Sequence, residues 1–311
     1  MNLLYLKYAV EVAASGSINK AAEKLYIDQP NLSRSIRELE ASLGTAIFER
    51  STRGMKVTPD GEVFLKYAHS ILNQVEELEE TFRNGGTKKK HFSISVPRAS
   101  YISEAFARFS KKFSGAKELE MFYKETNSMR AIKNILEEDY KLGVVRYSEN
   151  YDKYYKAMLE EKGLVYELIA EFRYMLLVSQ NSPLAKKDSI GYGDLGGYIE
   201  IAHADPYVPS LPFSEVKKEE LPDVNRRIFI FERGSQFDLL SLDPETFMWV
   251  SPLPERLLEL HGLVQKPFSE SQKTYKDVMI YRRDYKLSEL DKAFISELCQ
   301  VKREVFGGKN R

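Results

Sequence analysis

What this chain lacks narrows its chemistry before any motif is considered. It has one cysteine, Cys299, in 311 residues. No disulfide can form within the chain, which suits a reducing compartment, and the lone thiol has no nearby base to make it a nucleophile. Its expected place is as a small apolar residue on the last helix. The four histidines, His69, His91, His203 and His261, are scattered, and no two stand at metal-ligand spacing. There is no Walker loop, no G-x-G-x-x-G opening a helix and no G-x-S-x-G elbow. Acidic pairs such as Glu137-Glu138 fall in solvated helical patterns. Catalysis, a bound metal and a resident cofactor are therefore not expected. No apolar run approaches the length of a membrane span, and no leader pattern opens the chain, so the expected setting is the cytoplasm. Net charge is also missing: 46 basic residues balance 46 acidic ones. Any affinity for a polyanion must then come from a local patch.

What is present starts with two domains' worth of length and enough apolar residues, 43%, to build their cores. Between Ser15 and Arg50 the pattern predicts two short helices and a tight turn. Ala21, Ala22 and Leu25 share a face of the first, and the small alanines permit close approach. Asp28 is a suitable N-cap for the second and Pro30 suits its first turn. Leu32, Ile36, Leu39 and Leu43 then repeat at helical spacing up to Gly44, a C-terminal stop. The opposite face carries Gln29, Asn31, Ser33, Arg34 and Arg37, whose side chains suit base edges and phosphates. Between Gln29 and Thr58 there are five basic residues against three acidic ones. Arg50–Thr58 reads as a short hairpin with Gly54 at the turn and Arg53 near its tip. A long amphipathic helix follows. Thr58 can cap it, and Phe64, Tyr67, Ala68, Ile71, Leu72, Val75, Leu78 and Phe82 form its stripe. Residues 85–91, rich in glycine and lysine, read as a hinge.

Beyond residue 91 the texture is that of an α/β domain. Strands are predicted at Phe92–Val96, Leu119–Tyr123, Leu142–Arg146, Glu167–Ala170, Tyr174–Val178, Tyr198–Ile201, Arg227–Phe231, Phe247–Val250 and Val278–Tyr281. Helices are predicted at Ser100–Phe113, Ser128–Glu138, Phe237–Leu242, Pro254–Leu260 and Ser288–Val305.

The N-terminal residues resemble the winged helix-turn-helix of the LysR-type transcriptional regulators. The resemblance rests on Leu6, Val10, Gly16-Ser17, Ala21-Ala22, Leu25, Gln29-Pro30, Ser33, Ile36, Leu39-Glu40, Leu43-Gly44, Ile47-Phe48, Arg50, Val57-Thr58 and Gly61. It covers roughly residues 1–65. Asp28 stands where the family often has serine, and Ile47 and Val57 replace leucine. The resemblance implies an overall α/β chain. An all-α winged helix-turn-helix would occupy 1–58 and a dimerisation linker helix 59–84. After the hinge at 85–91, a two-lobed, periplasmic-binding-protein-like effector domain would fill 92–311. Lobe I would be 92–162 and 269–311, and lobe II 163–268, with crossovers near Glu161–Gly163 and Pro267–Ser269.

It also implies a non-enzymatic, ligand-responsive regulator, a homodimer or homotetramer bound to double-stranded promoter DNA and in contact with RNA polymerase. DNA contacts would fall to Gln29, Pro30, Asn31, Ser33, Arg34, Arg37 and Arg53. An effector would lie between the lobes, beyond strand ends and at helix starts. Arg98, Ser100, Thr126, Ser128 and His203 occupy such places, Ser100 and Ser128 as helix caps as much as cleft groups. Arg98 favours an anion such as a carboxylate, whereas the 19 tyrosines and 17 phenylalanines leave an aromatic or apolar ligand open. The competing reading is a non-catalytic small-molecule-binding protein whose N-terminal helices make protein–protein contacts.

Overall fold

The computed structural model describes residues 2–51, 54–83, 90–204, 226–268 and 270–307. The chain divides into two compact units, residues 1–89 and 90–311.

In the N-terminal unit, α1 (Leu3–Ser15), α2 (Ile18–Lys24) and α3 (Gln29–Leu43) precede a two-stranded antiparallel ribbon, β1 (Phe48–Ser51) and β2 (Gly54–Val57), and the long α4 (Pro59–Arg83). Local chemistry sets these limits. Asn2 Oδ1 accepts from the Leu4 amide at 3.0 Å, and α1 stops at Gly16, φ +61°. Gly44, φ +73°, stops α3 in the same way. Thr58 makes the α4 cap: its hydroxyl accepts from the Gly61 amide at 2.9 Å and donates to the Ala46 carbonyl at 2.6 Å. Asp28 occupies the N-cap position of α3, but its carboxylate makes no capping bond. Ala9, Val12, Ala21, Ala22, Leu32, Ile36, Leu39, Ile47 and Phe48 form the core. The alanines bring α2 close, as their size implies.

The C-terminal unit holds two five-stranded sheets. The first has the order β4-β3-β5-β12-β6, built from β3 (Lys90–Val96), β4 (Leu119–Glu125), β5 (Leu142–Ser148), β6 (Leu164–Arg173) and β12 (Thr274–Arg282). Against it pack α5 (Ser100–Lys111), α6 (Ser128–Glu137), α7 (Asp152–Glu161) and α10 (Glu289–Gly307). The second sheet has the order β11-β7-β10-β8-β9, built from β7 (Met175–Ser179), β8 (Ile199–His203), β9 (Arg227–Ile230), β10 (Thr246–Val250) and β11 (Leu263–Pro267). The short helices α8 (Gly234–Leu242) and α9 (Glu255–His261) belong to this lobe.

The two-lobed α/β architecture matches the expectation, with two corrections. A lobe boundary at residue 163 assigns β6 to the second lobe. Instead β6 pairs antiparallel with β12 along its whole length, from Leu164 opposite Arg282 to Arg173 opposite Thr274. The crossover is therefore at Tyr174, not at Glu161–Gly163. No glycine or proline separates β6 from β7, so nothing in the local sequence marks the change of sheet. The hinge is the second correction. Lys90 and His91 already lie in β3, in register with Leu119 and Glu120 of β4; the rest of that expected hinge, 85–89, lies outside the described residues. α7 and β11 were not anticipated. The first is dense in charge and tyrosine, and the second ends in a proline.

Candidate functional sites

On the N-terminal unit, α3 presents Gln29, Pro30, Asn31, Arg34 and Arg37 to solvent while burying Leu32, Ile36 and Leu39. These exposed residues occupy two successive turns. Ser33 differs from expectation, for it is buried. Its hydroxyl accepts from Arg37 Nη2 at 3.3 Å and its carbonyl from Arg37 Nε at 3.4 Å. Ser33 thus fixes the Arg37 guanidinium rather than offering its own hydroxyl. Arg34 Nε donates to Glu38 at 2.9 Å, and the Tyr5 hydroxyl donates to the same carboxylate at 2.7 Å. Those bonds, Tyr5 first and then Arg34, hold the Glu38 carboxyl below its ordinary range. Glu40 turns away from the polar face, its Oε1 accepting from the backbone amides of Ile47 and Phe48 at 2.8 and 3.0 Å. The two acids that weakened the basic character of α3 therefore have structural partners.

Beside α3 the ribbon is anchored by the Met55 amide, which donates to the Gly16 carbonyl at 2.9 Å. Gly54, φ +120°, opens β2, and a Cβ there would lie 2.5 Å from that same carbonyl oxygen. Arg53 lies outside the described residues. Sequence reasoning missed Tyr26: it stands in the turn before α3 with φ +53° and is 95% exposed. A bulky residue held at positive φ beside a polar helix start points to function rather than packing.

In the C-terminal unit, the expected effector residues stand at strand ends and helix starts, and Ser100 meets Arg233 of the other lobe. Thr126 is buried just past β4, its amide donating to the Val96 carbonyl at 2.8 Å. Ser100 and Ser128 are buried at the starts of α5 and α6, but neither is the cap. Ala99 and Asn127 occupy the cap positions, and Asn127 Oδ1 accepts from the Arg130 amide at 2.9 Å. Being one residue inside the helix frees each serine hydroxyl for other bonds. Ser128 Oγ donates to the Arg146 carbonyl at 2.6 Å and accepts from the Arg146 amide at 2.9 Å, which ties α6 to β5. Ser100 Oγ accepts from Arg233 Nη1 at 3.3 Å.

Arg233, from lobe II, also donates to Glu125 of lobe I at 3.0 Å. A second bridge joins Arg256 of α9 to Glu104 of α5 at 2.8 Å. Burial opposes the charge on Glu104, but Arg256 and Arg108 outweigh it and hold the carboxyl below its usual value. At the centre, Asp277 is fully buried and accepts from Arg146 at 2.7 and 2.6 Å and from the Tyr101 hydroxyl at 2.6 Å. Burial opposes the Arg146 charge, yet Asp277 dominates and raises its pKa. The Phe172 ring lies 4.7 Å from this guanidinium. Arg146, Arg233 and Asp277 were missed by sequence reasoning. Arg146 sits in the same kind of position as Arg98, towards the outer end of a strand, and that was the available signal. Asp277, distant in sequence and inside an apolar strand, gave none.

His203 ends β8 beside this cluster. Its pKa is pushed down to about 3, first by burial and then by the charges of Arg98, Arg233 and Arg146. It is neutral at physiological pH. Below the ordinary value of 6.5 the unfolded chain binds a proton that the folded chain refuses until about pH 3. This residue's contribution is thus complete above pH 6.5 and lost as pH falls. His203→Asn should flatten the loss of stability between pH 7 and 4 by about 2 kcal/mol, a value discounted for partial solvent access. Urea titrations at both pH values read this, and equal losses in the two proteins would contradict it.

Among the described residues no group of three or more histidine, cysteine, aspartate or glutamate side chains could hold a metal, and no helix is long and apolar enough to cross a membrane. The string Gly191–Gly196, which fits G-x-G-x-x-G, folds around a short 3-10 turn and opens no helix.

Residues 3–62 match the family described as bacterial regulatory helix-turn-helix protein, lysR family. The chain is 45% identical over 112 residues to the HTH-type transcriptional regulator BenM of Acinetobacter baylyi, a match spanning 33% of this chain and 36% of that protein. It is 24% identical to the HTH-type transcriptional regulator YofA of Bacillus subtilis, across 96% of this chain and 98% of that one. The fold is shared with full-length LysG from Corynebacterium glutamicum with bound effector Arg, at a TM-score of 0.61 and 14% identity over 96% of this chain and 99% of that chain. The helix-turn-helix of residues 3–62 thus matches the lysR family in sequence, and the whole chain is similar in fold to a solved full-length LTTR.

Proposed function

We propose that this protein is a ligand-responsive, DNA-binding transcriptional regulator. The observation that carries the reading is the division of α3: Gln29, Asn31, Arg34 and Arg37 lie exposed on a helix whose other side is locked into a core. Such a helix, beside a ribbon, fits the major groove while the ribbon meets the backbone or minor groove. Gln29, Pro30, Asn31, Arg34 and Arg37 meet bases or phosphates. Ser33 acts by orienting Arg37, and Arg53 serves the wing. The positive φ and exposure of Tyr26 add it to this surface.

One copy is a weak reader. Val63, Tyr67 and Leu78 are 58%, 65% and 58% exposed on α4, an apolar stripe that a second α4 would cover. The dimer then places two recognition helices about 34 Å apart, in successive major grooves of a two-fold-related operator. Pairs of dimers join through their effector domains. Ligand binding between the lobes, where Arg98, Ser100, Thr126, Arg233 and His203 meet, shifts the spacing of the DNA-binding pairs and hence contact with RNA polymerase. Duplex binding by the wild type and an Arg34→Ala, Arg37→Ala variant tests the site. Each arginine that reads a base is worth about 1–3 kcal/mol of discrimination, so the variant should lose its sequence preference. Equal affinity and preference in both proteins would contradict the assignment.

A further inference from the structure

We propose that Arg233 is a clasp between the two lobes: by gripping Glu125 and Ser100 it sets the angle at which the lobes stand to each other. In the regulator reading that angle carries the response to an effector. The use of the clasp as a switch rests on that reading; the clasp itself does not.

The apolar cores do not fix the angle. Among the described residues, the hydrophobic clusters of lobe I draw on 92–174 and 275–306, those of lobe II draw on 176–268, and none spans both. The chain crosses between the lobes at Tyr174 and again between Pro267 and Thr274. Two such crossings make a hinge, and a hinge needs a further contact to hold one angle.

Arg233 supplies that contact from lobe II. Its Nε lies 2.9 and 3.0 Å from the two carboxylate oxygens of Glu125, and its Nη1 donates to Ser100 Oγ at 3.3 Å. The Arg233 and Glu125 side chains are only 19% and 18% exposed, so salt screens this pair less than a surface one. Each half is also held within its own lobe. Glu125 ends β4 in register with Val96 of β3, and the Tyr123 hydroxyl donates to its Oε1 at 3.2 Å. Burial, and then the Glu125 charge, push the Tyr123 hydroxyl well above its ordinary value, so it remains a donor. Arg233 stands directly before α8, where its carbonyl accepts from the amide of the buried Gln236 at 3.2 Å. Its guanidinium carbon lies 6.0 Å from the Phe237 ring centre. With both partners placed in advance, little side-chain freedom is lost when they meet.

The Arg256–Glu104 bridge is the weaker of the two. Arg256 is 61% exposed, and Glu104 keeps Arg108 at 3.0 Å whether or not Arg256 is in place.

Double electron–electron resonance between spin labels on the full chain tests the clasp. Cys299→Ser removes the native thiol, and Asn150→Cys on lobe I and Asp238→Cys on lobe II carry the labels; both positions are exposed. Excess unlabelled chain suppresses distances between copies. Glu125→Gln removes the charge and keeps the shape. It should raise the ratio of separated to closed lobes by about tenfold or more, the scale of a charge-assisted hydrogen bond, seen as a second distance. Arg233→Gln should give the same distribution, and the double variant should go no further than either single one, because all three remove the same pair. Glu104→Gln should shift the distribution less. Circular dichroism checks that each variant is folded. An unchanged distribution in Glu125→Gln and Arg233→Gln overturns the clasp, as do shifts that add in the double variant or a larger shift in Glu104→Gln. The measurement involves neither DNA nor effector, so its failure is distinct from failure of the regulator reading, which the wild type's binding to duplex DNA decides.

Discussion

Replacing Asp277 with alanine should destabilise the C-terminal unit by about 3–5 kcal/mol, the cost of leaving a buried charge without its partner. Three hydrogen bonds converge on this carboxylate, two from Arg146 and one from Tyr101, at donor–acceptor distances of 2.6–2.7 Å. Asp277 is wholly inaccessible and the Arg146 side chain is only 11% exposed. In the variant the guanidinium keeps its charge, because nothing at accessible pH removes it. Tyr101 also loses its acceptor in a fully buried position. Removing both charges is a different perturbation. Asp277→Leu combined with Arg146→Met replaces the pair with apolar groups of similar bulk, and should recover most of the loss. Urea unfolding followed by the single tryptophan, Trp249 on β10, reads the C-terminal unit directly. A loss below about 1 kcal/mol in Asp277→Ala would mean that Arg146 is solvated, contrary to the geometry.

The second large effect belongs to the N-terminal unit. Gly61 is buried in the first turn of α4, and a Cβ built on it would lie 2.2 Å from the Ile47 carbonyl oxygen and 2.9 Å from Val57 Cγ1. The carbonyl cannot retreat cheaply, since it accepts from the Thr58 amide at 3.0 Å. Thr58 in turn caps α4. Gly61→Ala must therefore move the start of α4 away from the loop before β1. Overpacking against backbone sits at the top of its usual range, about 3 kcal/mol. For a unit of this size that lowers the melting midpoint by about 12–24 °C. Thermal unfolding followed by circular dichroism measures it, and a shift under about 4 °C would contradict the close approach.

Gly61 shows how far local sequence could be read. As a letter in the family pattern it had a place but no reason; the Ile47 carbonyl supplies one. The helix-turn-helix was legible because its determinants lie a few residues apart: the Leu32, Ile36 and Leu39 stripe, the small pair Ala21-Ala22, and the stops at Gly16 and Gly44. The roles of Glu38 and Glu40 were not legible. Both counted only as acids set against the five basic residues between Gln29 and Thr58, yet one is engaged by Tyr5, from α1, and the other by amides seven and eight residues ahead. In the C-terminal unit, strand ends and helix starts pointed to Arg98, Ser100, Thr126, Ser128 and His203, and of these Ser100 meets the other lobe through Arg233. What could not be read was pairing across the fold. Arg146 meets Asp277 from 131 residues away, and Arg233 meets Glu125 from 108. The same limit explains the misplaced crossover. Strand β6 belongs to the first sheet because β12, more than a hundred residues later, returns to pair with it.

The central claim is that α3 reads DNA through its exposed polar side. The most direct measurement is fluorescence anisotropy of the full chain on a duplex chosen from a random pool, across a salt series, for the wild type and the Arg34→Ala, Arg37→Ala variant. The wild type should bind the chosen duplex at least tenfold more tightly than a scrambled one, with affinity falling steeply as salt rises. The variant should bind both duplexes alike, with a shallower salt dependence. Identical curves for the two proteins, or no preference by the wild type, would contradict the account.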